Sequence, residues 1–162
     1  MIDPGLSNKV VAVTGANNPY GIGAGIARAF AAQGAKLFLH YYRVDHKGIT
    51  PEDAEGEAPG ERFYYAQSAK GPEEVLASLA ELGAEAAAWE ADLADPDAVP
   101  RLFDEAEAAL GPVEVLVNNA ADWAPDTFVP SDRDLPNRTV EAWTDRPARI
   151  TPESFHTHFA VN

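Results

Sequence analysis

The run Val10–Phe30, VVAVTGANNPYGIGAGIARAF, constrains the fold of this chain more than any other stretch. Val10 to Val13 form a short apolar run, which suits a strand covered on both faces. Gly15, Gly21 and Gly23 punctuate the turn that follows. Ile22, Ile26, Ala27 and Phe30 then fall at helical spacing and make one apolar stripe. A glycine turn between a strand and a helix N-terminus can hold a phosphate. Glycine lets the backbone come close, free N–H groups face outward, and the helix dipole favours an anion. The first expectation is therefore dinucleotide binding.

The chain behind this turn alternates strand and helix. Val10–Thr14 reads as strand one, and Ile22 to about Gln33 as a helix closed by Gly34. Lys36–Arg43 is strand two, rich in aromatic and apolar residues. Val44–Gly71 is rich in acids, proline and glycine and reads as a long excursion, mobile near Pro51–Gly60. Pro72–Leu82 is a helix with Pro72 at its first position and Glu73 and Glu74 in its first turn. Ala84–Glu90 is strand three. Asp95 caps a helix that runs to about Leu110, and Val113–Asn118 is strand four. Asp122–Ile150 reads as a second long loop, and Thr151 caps a final helix reaching Asn162.

This alternation implies an α/β fold: a Rossmann-type doubly wound parallel sheet with strand order 3-2-1-4 and a ligand between strands one and four. The 162 residues suffice for one domain. The sheet stops after its fourth strand and the following helix, so residues 1–162 are expected to be a single, incomplete domain.

Charge and composition narrow the partners. The net charge is −14, and 12 scattered Lys and Arg residues argue against nucleic acid. No apolar run approaches the roughly 20 residues of a membrane span. There is no cysteine and no signal-peptide pattern at the N-terminus, so a cytoplasmic location is expected. His156 and His158 would point about 200° apart on a helix, and no metal site is expected.

Four features occur in order. They are Thr14-Gly15 through Gly21-Ile22-Gly23, then Asp92-Leu93, then Asn118-Asn119-Ala120-Ala121, then Val161-Asn162. As a set they resemble the short-chain dehydrogenase/reductase family, especially its 3-oxoacyl-carrier-protein-reductase-like members. The resemblance implies a nicotinamide cofactor and hydride transfer between it and a carbonyl or hydroxyl substrate. Gly15, Gly21 and Gly23 would line the pyrophosphate, with Thr14, Asn17 and Ile22 in the same turn. Asp92 would bond the adenine amino group beside the Leu93 backbone. Asn118 and Asn119 would support strand four and the ribose, with Ala120 against the cofactor. Asn162 matches the asparagine that helps hold a proton-relay water.

Two departures matter. Ala121 stands where the family has glycine in its Asn-Asn-Ala-Gly motif. Five residues separate Gly15 from Gly21, where the family ordinarily has three. That spacing resembles the divergent enoyl-reductase branch, while the letters are those of the ordinary branch.

Strand two ends in His40-Tyr41-Tyr42-Arg43. The planar fork of Arg43 suits a 2′-phosphate, which favours NADP(H) over NAD(H), although Asp45 is close enough to reverse the preference. The family's catalytic tyrosine stands four residues before a lysine. Four residues before Lys9, Lys36, Lys47 and Lys70 stand Gly5, Ala32, Arg43 and Ala66. The run Tyr64–Lys70 has the right letters at the wrong offset. The resemblance thus implies an N-terminal portion that holds the dinucleotide and is inactive alone, complemented by a C-terminal segment. The alternatives are a non-catalytic nucleotide-binding or self-associating module, or part of an enoyl-reductase-like enzyme. The apolar edge of strand four and the face bearing Phe155 and Phe159 favour self-association or another partner.

Overall fold

The computed structural model describes residues 3–45, 48–56, 58–122, 126–127 and 148–161. It divides into two compact units, 1–120 and 121–162. In the first, β1 (Val10–Val13), β2 (Lys36–Tyr41), β3 (Ala86–Glu90) and β4 (Val113–Val117) form a parallel sheet in the order β3-β2-β1-β4. This is the expected order, and each crossover carries helix: α1 (Ile22–Ala31), α3 (Glu73–Glu81) and α4 (Ala98–Leu110).

Alternation along the strands divides the core between the two faces of the sheet. Val11, Val13, Leu37 and Leu39 pack against Ala24, Ala27 and Ala31 of α1 and Val75 and Leu79 of α3. Ala12 and Phe38 face the other way, onto Leu102 and Ala106 of α4. Every residue of β1 is buried, as its uninterrupted apolar run requires. Alanine recurs on the buried face of α1, which lets that helix lie close to the sheet beneath the glycine turn. Gly34, Gly83 and Gly111 end α1, α3 and α4 with positive φ.

The helix starts shift from the sequence expectations. Pro72 stands at the cap position of α3 and not as its first residue, and Asp97, without a capping side-chain bond, stands at the cap position of α4 in place of Asp95. Asp95 instead accepts the Asp97 N–H through its side chain and the Ala98 N–H through its carbonyl, a local turn that delays the helix.

The larger correction concerns Val44–Gly71. This stretch contains a 3₁₀ turn, Pro51–Ala54, and a helix, α2 (Glu61–Ser68). Thr50 and Asp53 form a capping box, in which the Asp53 carboxylate takes the Thr50 N–H at 2.7 Å and also bonds Arg62. Ala54, Ala66 and Gln67 are buried. The helix ERFYYAQS carries no clean apolar stripe, so its stability comes from tertiary docking, which periodicity does not register.

In the second unit, β5 (Asp126–Thr127) and β6 (Ala148–Arg149) pair in parallel, and α5 spans Pro152–Val161. Thr151 caps α5 as expected: its hydroxyl accepts the Ser154 N–H at 3.1 Å while Ser154 Oγ accepts the Thr151 N–H at 3.0 Å. The rest of the expected loop Asp122–Ile150 lies largely outside the described residues, as does Asn162. Phe155 and Phe159 are exposed with ring centroids 4.4 Å apart. No helix among the described residues is long and apolar enough to cross a membrane.

Candidate functional site

The C-terminal ends of β1 and β4 meet at the glycine turn, and Thr14 and Asn119 clasp them together. The buried Thr14 hydroxyl accepts the N–H groups of Asn119 at 3.0 Å and Ala120 at 2.9 Å. In return the Asn119 side-chain amide donates to the carbonyls of Thr14 and Gly15 at 2.8 and 2.9 Å. The Ala16 N–H reaches the His40 carbonyl on β2 at 3.1 Å. The turn is thus tied to both neighbours of β1.

This clasp explains two of the glycines. Gly15 has φ +68°, and a Cβ there would stand 2.9 Å from Ala120 Cα. A Cβ on Gly23 would stand 2.6 Å from the Gly15 carbonyl oxygen and 2.7 Å from Asn119 Nδ2. Gly23 therefore lets α1 begin against the turn. The N-terminus of α1 has no side-chain cap and no acid in its first turn. Its leading N–H groups lack intrahelical partners by geometry, which suits an anion. Ile22, at the head of the helix, is 78% exposed. Glycine-enforced closeness and uncapped N–H groups suit an anion such as a pyrophosphate.

Around the turn, the site residues play different parts. The Asn17 side chain is buried, and its amide donates to the carbonyls of Ser68 at 2.9 Å and Lys70 at 2.8 Å. Both donors of a residue assigned to the cofactor thus serve to anchor the end of α2. Tyr20 packs against Phe63 of the same helix, the rings tilted by 55° with centroids 5.4 Å apart. Arg28, which sequence reasoning passed over, braces the turn from behind by donating to the Pro19 carbonyl at 2.8 Å and to Ser78 Oγ at 2.9 Å. A single charged residue in the otherwise uncharged sequence of α1 was the available signal.

At the ends of β2 and β3, Asp92 Oδ1 accepts the Ala94 N–H at 2.9 Å, and Leu93 packs towards the α4 side of the core. His40 is buried beside them. Its Nε2 lies 2.9 Å from the Ala91 carbonyl and donates to it, which leaves Nδ1 as an acceptor without a hydrogen-bond partner. Burial holds the imidazole below its ordinary pKa, against the Ala91 bond and the Asp92 charge.

Arg43 forms a fork with Glu90, the last residue of β3: Nε donates to Oε1 at 2.8 Å and Nη2 to Oε2 at 2.7 Å. The guanidinium holds the Glu90 carboxyl below its ordinary range. Glu90 pairs in register with Tyr41, which places it beside the end of β2, a relation visible only once the strands are aligned. Asp45 bonds the Gly48 N–H at 3.0 Å in its own loop.

Asn118 is exposed at the end of β4, and Ala120 lies against Gly15. Ser68 Oγ bonds the Tyr64 carbonyl and Lys70 bonds Glu74, so the letters of Tyr64–Lys70 belong to a helix and its exit. Among the described residues no group of three or more His, Cys, Asp or Glu could hold a metal ion.

The family described as short chain dehydrogenase matches residues 53–143. A 3beta-hydroxysteroid dehydrogenase of Eggerthella lenta is 31% identical over 138 residues, 85% of this chain and 40% of that protein. An L-rhamnose 1-dehydrogenase (NAD(P)(+)) of Azotobacter vinelandii is 35% identical over 135 residues, 83% of this chain and 44% of that protein. The chain thus spans less than half the length of these curated relatives. The crystal structure of a short chain dehydrogenase from Mycobacterium avium superposes with a TM-score of 0.63 at 26% identity, covering 96% of this chain and 41% of the other.

Proposed function

The chain belongs to the short-chain dehydrogenase family, and from that premise we propose that it is the dinucleotide-holding portion of an oxidoreductase that moves hydride between NADP(H) and a carbonyl or hydroxyl substrate. The observation that carries the proposal is the uncapped head of α1, brought against the glycine turn by the Thr14–Asn119 clasp. Its N–H groups would hold the pyrophosphate. The free oxygen of Asp92 would accept from the adenine amino group, Leu93 would offer its backbone, and Asn118 would support the ribose. Arg43 would meet a 2′-phosphate, and Ala120 would lie along the cofactor. When bound, the nicotinamide would give hydride to a carbonyl or take it from a hydroxyl. Asn162 would help hold a relay water, and a complementing segment would supply the family's tyrosine and lysine pair.

The relatives' names include a steroid and a sugar dehydrogenase, which supports a carbonyl/hydroxyl couple as the substrate class and does not single out a 3-oxoacyl group. Self-association through the β4 edge, or through the face bearing Phe155 and Phe159, belongs to the same proposal. So does a cytoplasmic location. The test is direct titration of the chain with NADPH and NADH, in parent and Arg43→Ala. NADPH should bind more tightly than NADH, and the substitution should weaken NADPH about tenfold, the scale of charge-assisted bonds to phosphate. Absence of binding by either dinucleotide would refute the reading.

A further inference from the structure

We infer that Glu90 is a specificity-determining residue of the dinucleotide site: its two parallel hydrogen bonds to Arg43 offset the cation and let the site accept NADPH and NADH with only modest preference. This rests on the placement of Arg43 at the ribose end proposed above. A guanidinium has five N–H donors in a fixed plane, and Glu90 occupies one Nε and one Nη2 donor. The remaining donors can still bind a phosphate, and Glu90 holds their orientation. The charge is another matter. Arg43 shares its surroundings with two carboxylates, Glu90 in contact and Glu73 at the head of α3 within electrostatic reach. A dianionic 2′-phosphate would meet a compensated pair, whereas a ribose hydroxyl would meet a polar, nearly neutral fork.

The acid that moderates Arg43 is therefore on β3. Asp45, the nearer acid in sequence, takes the Gly48 N–H in its own loop. The side chain of Glu90 is only 29% exposed and that of Arg43 55%, so the pair is more shielded on the sheet side than a freely solvated surface pair.

The experiment compares dissociation constants for NADPH and NADH in the parent, Glu90→Gln, Glu90→Lys and Arg43→Ala, at two salt concentrations. Glu90→Gln keeps a hydrogen-bond acceptor for Arg43 and removes the charge. Removing the carboxylate that contacts Arg43 takes away a repulsion felt by a 2′-phosphate and not by a ribose hydroxyl, so the preference for NADPH should rise several-fold at low salt. The gain should shrink as ionic strength rises. Glu90→Lys should raise the preference further. If both Glu90 variants leave the ratio unchanged, or lower it, while Arg43→Ala still weakens NADPH, the inference about Glu90 is overturned and the assignment of Arg43 stands. If Arg43→Ala leaves NADPH binding unchanged, the placement of Arg43 itself is overturned.

Discussion

Replacing Thr14 with valine removes one oxygen from the centre of the clasp while keeping the shape of the side chain. In the parent that oxygen accepts the N–H groups of Asn119 and Ala120 at 3.0 and 2.9 Å, at a residue 5% exposed. Valine leaves two backbone donors without an acceptor. An unsatisfied buried N–H costs about 1–3 kcal/mol. The added methyl recovers under about 1 kcal/mol by apolar burial. Asn119 and Ala120 are only partly buried, so the two donors together fall in the lower part of that range and the net loss should be about 1–3 kcal/mol. Urea denaturation followed by far-UV circular dichroism reads it. With a slope of about 2 kcal/mol per molar, the midpoint should fall by about 0.5–1.5 M. Thr14→Ser keeps the hydroxyl and should stay within about 1 kcal/mol of the parent. A Thr14→Val protein as stable as Thr14→Ser would show that the hydroxyl carries no such bonds and would remove this clasp as a source of the turn's stability.

Two glycines of α1 should respond oppositely to alanine. Gly25 has nothing within 4 Å of an added Cβ, so Gly25→Ala should stabilise by about 0.5–1 kcal/mol through helix propensity. Gly23→Ala should destabilise, because its Cβ would meet the Gly15 carbonyl and the Asn119 amide; thermal melts of the two variants side by side give the comparison, and equal melting points would contradict the close approach. His40 predicts a pH dependence. Its folded pKa lies below the ordinary 6.5, so below that pH the unfolded chain takes up a proton that the folded chain resists. Stability should fall as pH drops from 6.5, and the slope down to about pH 5 should flatten in His40→Phe. Identical slopes in parent and variant would rule His40 out as the source.

The sheet was legible because three of its strands announce themselves locally, while the alanine-rich β3 is placed by its position in the alternation. VVAV is an unbroken apolar run, KLFLHY is aromatic and aliphatic, and the glycine or capping residues that follow mark where each helix begins or ends. Parallel order then followed from alternation alone. Glycine spacing pointed to the turn, and the clasp around it was half visible in the paired asparagines after β4. Other parts of the site depend on contacts between distant residues. Glu90 reaches Arg43 across 47 positions, and Asn17 reaches Ser68 across 51. Neither bond leaves a local pattern in the chain. Helix α2 escaped for a related reason, since its residues are mostly polar or aromatic and its docking supplies what periodicity does not.

The anchoring of α2 changes the meaning of the turn's length. Asn17 and Tyr20, which make the contacts to Ser68, Lys70 and Phe63, lie in the stretch that lengthens the spacing between Gly15 and Gly21. A three-residue turn would lose part of this grip and orphan carbonyls at the exit of α2, while an excursion without α2 would leave a buried asparagine amide with nothing to bond. Insertions at these two distant points are thermodynamically one insertion. Among homologous chains, the longer glycine spacing and a helix between β2 and α3 should be gained and lost together. On that account the spacing is a fingerprint of a neighbouring helix, and branch membership need not be read from it.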